Sequence, residues 1–123
     1  MSDNVPDRKA QITFGKFQNV DMRVGRIVSA EVASGTNAPC RIIQIDLGPL
    51  GTLQSVGQFA QVADADLVGK NIVVCINLGT REMGPHVSEA LVMGAPHPES
   101  PADQHQATPL YVDERVAPGS VIF

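Results

Sequence analysis

Tryptophan is absent from this 123-residue chain, and tyrosine occurs once and phenylalanine four times. Single-strand nucleic-acid binders commonly stack bases on exposed aromatic rings, so a sequence this poor in them needs another device if it binds nucleic acid. Positive charge is also scarce: nine Lys and Arg stand against thirteen Asp and Glu, a formal net charge of −4. That balance argues against a general binder of phosphate backbone. Two cysteines, Cys40 and Cys75, are too few for a disulfide framework, and each lies beside apolar strand-like sequence, so buried reduced thiols are expected. No run approaches the ~20 apolar residues of a membrane-crossing helix. Met1 to Gln11 is polar, without the apolar segment of a secretory leader, so a soluble, cytoplasmic protein without membrane association is expected.

What remains is enough for one core. Hydrophobic residues make up 43% of the chain and charged ones 18%, which places it among globular domains and outside disordered tails. Its length allows one domain. Charge is uneven along it. Residues 1–30 hold Arg8, Lys9, Lys16, Arg23 and Arg26 against Asp3, Asp7 and Asp21, whereas residues 99–123 hold Arg115 alone against Glu99, Asp103, Asp113 and Glu114. Any basic patch is therefore small.

Residues 1–12 read as a flexible leader and 13–123 as the domain. Thr13 precedes FGKFQNV as the N-cap of a short helical turn. From Met22 a β-branched run follows, with Gly25 marking a bulge or bend. After the turn cluster 34–39, CRIIQIDLG predicts a second strand, and beyond Pro49-Leu50-Gly51 the segment TLQSVGQ predicts a third, paired as a hairpin. AQVADADLVG predicts a helix ending at Gly69, with Asp64 and Asp66 complementing its dipole. NIVVCINL predicts a central strand and SEALVMGA a fifth. The proline-containing stretch 96–109 predicts a long surface loop. LYVDERVAPGSVIF predicts a short strand, a turn at Pro118-Gly119 and a terminal strand. The fold class is thus all-β: a five-stranded OB-type β-barrel, one short helix between strands three and four, and a C-terminal strand appendage.

Taken in order, FQNVDMRVGRIVSAEV, IDLG with QSVGQ, LVGKNIVVCINL and SEALVMGA resemble the successive strands of the tRNA-binding-domain family over roughly residues 13–95. The tail LYVDERVAPGSVIF resembles the stand-alone CsaA-like branch. The resemblance implies an OB barrel, a two-fold homodimer supported by the terminal segments, and recognition of tRNA by backbone and shape. For the CsaA-like branch it also implies an export-related chaperone role, with unfolded or exported polypeptides bound near the same cleft. Two loops depart from the family. GTNAPCR carries Arg41 as its only cation, and Gly79-Thr80-Arg81-Glu82 replaces one of two expected basic residues with an anion.

Candidate nucleic-acid contacts are Arg23, Arg26, Arg41, Arg81, Ser88 and Leu91. Arg23 could instead pair with Asp21 or Glu31, Arg26 could simply be solvated, and Leu91 is expected in the core with Ser88 as a strand-start hydroxyl. Arg81, on a glycine-flanked loop, suits bidentate phosphate contact. For the peptide alternative, Gln54, Ser55 and Gln58 offer amides and a hydroxyl on the third strand, a ligand-facing surface in OB barrels. Catalysis and cofactors have no support. His86, His97 and His105 lack metal-ligand spacing, and there is no GxSxG or GxxxxGK[ST].

Overall fold

The first regular element, α1 (Phe14–Gln18), begins where Thr13 takes an extended conformation and its hydroxyl accepts the Lys16 N–H at 3.2 Å. This is the expected cap. The structure, a computed structural model, describes residues 5–123. Residues 5–12 are exposed and carry no helix or strand, while the first four positions of the expected leader lie outside the described residues. No helix among the described residues is long and apolar enough to cross a membrane.

Three antiparallel strands follow as a meander: β1 (Met22–Ala33), β2 (Cys40–Asp46) and β3 (Thr52–Gly57). Between β1 and β2 the register moves from Ile27↔Ile45 to Ser29↔Gln44, so Val28 is the extra residue of a bulge. Gly25 serves a different purpose from the bulge expected there. A Cβ on it would lie 2.4 Å from Ile45 Cγ2 and 3.0 Å from Val74 Cγ2, so its missing side chain lets the strand close over the core.

β4 (Asn71–Cys75) pairs along one edge with β1, from Met22↔Cys75 to Arg26↔Asn71. The next element is unanticipated, a hairpin of β5 (Arg81–Met83) and β6 (His86–Ser88) around a Gly84-Pro85 turn in which Gly84 has φ +60°. Then come β7 (Leu91–Val92), β8 (Gly94–Pro96), β9 (Ala107–Pro109) and β10 (Tyr111–Val112). The second edge of β4 is shared end to end: β10 pairs with Ile72 and Asn71, β7 with Val74 and Cys75.

The all-β class is as expected, and the one α-helix precedes β1 instead of lying between the third and fourth strands; four further details differ. The segment 60–69 is not an α-helix. It holds only a 3-10 turn at Asp64–Asp66, preceded by extended Ala63, which has no side chain to cap it. Its buried apolar residues are Val62 and Leu67, five apart, which is not a helical stripe. Asp64 pairs with Arg41 instead of serving a helix dipole. SEALVMGA is divided among β6, β7 and β8, because Ser88 Oγ donates to the Ala90 carbonyl at 2.9 Å and turns the chain there. The stretch 96–109 is pinned at its base by β8–β9 and anchored by Gln106, which is 1% exposed. Gln106 Oε1 accepts the Ala60 N–H at 2.8 Å, and its Nε2 donates to the Pro39 carbonyl at 2.9 Å. The terminal strand shortens to one bridge, Arg23↔Val121.

The main sheet is an open path, β10-β4-β1-β2-β3, with β7 on β4; its ladder does not run on to close five strands into a ring. On its inner face Ile27, Ile43, Ile45, Ile72 and Val74 form the core with Leu47 and Leu67 from the loops, all essentially inaccessible. Cys40 and Cys75 are buried free thiols, as expected. Burial pushes the Cys40 thiol above its usual range, with the hydrogen bond to Thr36 opposing in part.

Gly25→Ala is expected to destabilise the fold by about 1–3 kcal/mol, since Ile45 is β-branched and enclosed and cannot swing aside. Urea unfolding followed by far-UV circular dichroism measures this; an unchanged midpoint would show that the strands have room to separate.

Candidate functional site

Between β3 and the β6–β7 segment no β-ladder forms, yet the gap is bridged. Ser88 Oγ accepts the Val56 N–H at 3.0 Å. The Glu89 N–H donates to the Gln54 carbonyl at 2.7 Å, and Glu89 Oε1 accepts the Gln54 N–H at 2.9 Å. Gln54 Nε2 donates to the Val87 carbonyl at 2.9 Å, while its Oε1 accepts from Gln44 Nε2 at 2.8 Å. Ser88 is buried, and both it and Gln54 are engaged in holding these segments together.

Beside this bridge lies a cavity of about 310 Å³. Ser55, Gln58, Leu78, Arg81, Met83 and Leu91 line it, above a floor of core residues that includes Val56, Phe59 and Val92. The structure thus brings together Arg81, Ser88 and Leu91 from one candidate set and Ser55 and Gln58 from the other. Leu91, expected in the core, is instead 46% exposed at the cavity. Arg81 is exposed and makes no ion pair or side-chain hydrogen bond among the described residues. A second depression of about 230 Å³, lined by Thr36, Asn37, Cys40 and Glu82 among others, shares Gln58, Arg81 and Met83 with the first. Leu78 and Met83 escaped sequence reasoning because only the β5–β6 hairpin brings them to the site.

The other candidate arginines lie elsewhere. Arg41 is 12% exposed in its side chain and ties three segments: it donates to the Ala30 carbonyl at 3.2 Å, to the Val62 carbonyl at 2.9 Å and to the Asp64 carboxylate. Arg23 pairs with Asp21 at 2.7 Å, one of its two foreseen alternatives, and donates to the Gly119 carbonyl at 3.1 Å. Arg26 is not simply solvated. It donates to Asn71 Oδ1 at 3.0 Å and to the Glu114 carbonyl at 3.2 Å. Together Arg23 and Arg26 hold the C-terminal segment to β1, beside the backbone bonds Val24 N–H to Ser120 O and Gly119 N–H to Val24 O.

The largest depression, about 610 Å³, lies on another face and carries Asp66, Glu99 and Glu114 against Lys70 and His97. Lys70 is paired with Glu114 at 3.3 Å. Tyr111 donates to the Asp66 carbonyl at 2.7 Å, and its phenol is pushed up by burial and by the Asp66 carboxylate. Carboxylates outnumber cations along this depression. Among the described residues no three His, Cys, Asp or Glu side chains gather as a metal site.

Residues 22–121 match the family model described as "Putative tRNA binding domain". The chain belongs to the tRNA-binding-domain family. It is 35% identical over 91 residues to the methionine–tRNA ligase of Bdellovibrio bacteriovorus, covering 72% of this chain and 13% of that protein. It is 36% identical over 109 residues to the methionine–tRNA ligase of a Polaromonas species, covering 85% and 15%. The chain therefore spans a small part of these relatives' length. The crystal structure of chaperone CsaA from Bacillus anthracis is similar throughout, with a TM-score of 0.80, 29% identity, and coverage of 93% of this chain and 100% of that one. A methionyl-tRNA-synthetase-related protein from Pyrococcus horikoshii shares the fold, with a TM-score of 0.78 at 20% identity over 94% and 100% of the two chains.

Ser88→Ala is expected to cost about 1–3 kcal/mol, because it strands the Val56 N–H without an acceptor. Ser88→Thr, which keeps the oxygen, should retain more of the stability. Equal losses in thermal melts of the two variants would mean that the hydroxyl is not the fastener.

Proposed function

We propose that this chain is a dimeric, non-catalytic tRNA-binding protein of the cytoplasm that recognises tRNA by backbone and shape. The observation that carries the reading is the family match over residues 22–121, joined to a cleft whose one guanidinium is free. Residues 13–123 act as one OB-type domain, in which β6 and β7 together stand for the fifth strand and the Ser88 and Glu89 hydrogen bonds replace the missing ladder. Catalytic chemistry is not part of this reading. The only function assigned is binding.

Homodimerisation is supported by apolar exposure where the chain termini meet the sheet. Phe14 and Phe17, with ring centroids 6.4 Å apart, Val20, Val121 and Phe123 are all exposed. The Arg23↔Val121 bridge, the Asn77 amide donating to the Asn19 carbonyl and the Asp21 N–H donating to Asn77 Oδ1 tie the segments carrying several of these residues to the same end of β1. Exposed apolar residues grouped near one another commonly mark a surface that a partner covers. Two copies of a weak basic site on one dimer raise avidity without new contacts.

An export-related chaperone binding unfolded or signal-containing polypeptides is the second reading. The apolar cavity wall, with Ser55 and Gln58 beside it, and the similarity to a protein titled chaperone CsaA favour it. Gln54, engaged with Val87 and Gln44, is a weaker contributor than Ser55 or Gln58.

Mobility shifts with total tRNA at about 50 and about 200 mM salt test the first reading. Roughly two phosphate contacts per dimer predict an affinity loss of at least about tenfold across that range. Arg81→Ala should weaken binding and flatten the salt dependence. A salt-independent shift, or one indifferent to Arg81→Ala, would overturn it. Sedimentation of the free protein should give a dimer, and a monomer at micromolar concentration would remove the two-site grip.

A further inference from the structure

We infer that the 310 Å³ cavity receives one unpaired nucleobase of the bound RNA, while Arg81 at its rim holds a neighbouring phosphate. The inference rests on the tRNA-binding reading and adds the contact that its electrostatics leave short. Arg23, Arg41 and Arg115 are paired with carboxylates, and Arg26 is engaged by Asn71 and Glu114. The net charge is −4. Proteins held to nucleic acid mainly by counterion release make about 6–10 phosphate contacts. Arg8, Lys9 and Lys16 lie outside the cleft, whose single free guanidinium falls well below that, so affinity at the cleft needs a component that salt does not screen.

The cavity has the chemistry for it. Its volume lies at the lower end of small-molecule sites, which run about 300–1,000 Å³. Leu78, Met83 and Leu91 offer aliphatic and thioether surface to the faces of a planar ring. No exposed aromatic side chain lines it, so a base would be gripped between aliphatic walls instead of stacked on a ring. Polar atoms stand among those walls. Ser55, only 1% exposed, lies in the floor of the cavity, and its hydroxyl makes no hydrogen bond among the described residues. Gln58 uses its Nε2 on the Gln104 carbonyl at 3.0 Å, which leaves its Oε1 as an acceptor for a base amino or imino group. A free cation beside an apolar, amide-edged pocket matches a nucleotide, which is anionic at one end and flat and apolar-faced at the other. A polypeptide segment fits the walls but supplies the anion only at an acidic side chain or its C-terminus.

The test uses a short RNA hairpin carrying 2-aminopurine in an unpaired 3′ overhang, beside a blunt duplex with the same number of phosphates. The absence of tryptophan keeps the protein dark at the probe's excitation. Binding should change the 2-aminopurine emission, and the overhang RNA should bind about tenfold more tightly than the duplex, in keeping with the contribution of one held base. The double variant Ser55→Ala with Leu91→Ala should abolish that preference, bringing the overhang RNA down to the affinity of the duplex, whereas Arg81→Ala should weaken both. Circular dichroism melts establish that the variants fold. Total tRNA that binds while the probe stays silent and the two RNAs compete equally would overturn base insertion alone. Absence of any RNA binding would overturn the tRNA reading and this inference with it. Loss of unfolded-polypeptide binding in the double variant, with RNA binding untouched, would assign the cavity to polypeptide.

Discussion

The hydroxyl of Ser88, shared between the Val56 N–H and the Ala90 carbonyl, is the constraint on which the functional face depends. β3 and β7 do not run together as a ladder, and without a ladder their facing backbone groups would need water. Ser88 and Glu89 supply the missing partners, and the Glu89–Gln54 pair exchanges bonds in both directions. Buried polar groups left unpaired are expensive, so this short bridge fixes the separation of the two segments. It also prevents further pairing past Ala90, and the cavity opens at that interruption. A continuous fifth strand would fill the space with backbone. The cleft is therefore a consequence of incomplete pairing, stabilised by side chains that stand in for main chain.

Arginine does similar work elsewhere. Where regular pairing stops at the 3-10 turn, Arg41 collects the Ala30 and Val62 carbonyls and the Asp64 carboxylate. Its Nε is buried without a partner, the one such side-chain atom among the described residues. Where the C-terminal segment crosses β1, Arg23 and Arg26 take carbonyls from Gly119 and Glu114. A guanidinium carries five donors in a fixed fork, so it can satisfy acceptors from several segments at once. Using arginines as braces withdraws positive charge from the surface. Arg81 stands out as the arginine at the cavity, where it has no partner, and not for its local density of charge.

Sequence patterning reveals contiguous strands well and interrupted ones poorly. The β1–β2–β3 meander, β4 and the Thr13 cap follow from local signals: β-branched runs, turn residues and a hydroxyl before a helical turn. The segment 60–69 misleads because its alanines and acids suit a helix, whereas Arg41, distant in sequence, takes the Val62 carbonyl and the Asp64 side chain. SEALVMGA misleads because a run of apolar residues does not show that Ser88 will turn back on Ala90. Of the candidate side chains, Arg81, Ser88, Leu91, Ser55 and Gln58 converge at one place. The partners of Arg23, Arg26 and Arg41 are set by tertiary crossings that strand periodicity does not encode, apart from the Asp21 neighbour of Arg23.

The acidic balance of the chain follows from the same arrangement. Phosphate contacts position a nucleic acid, and contacts to bases or to folded shape discriminate among candidates. A strongly basic surface would hold any RNA and leave little for shape to decide. Here one groove is lined by Asp66, Glu99 and Glu114, while the smaller cavity pairs one free guanidinium with apolar walls. In the proposed complex, charge selects the face and the approach, and the fit of the cavity supplies the rest of the hold. A cleft made by an interrupted strand, on a protein that uses Arg23, Arg26 and Arg41 as internal braces, suits selectivity better than strength of attraction.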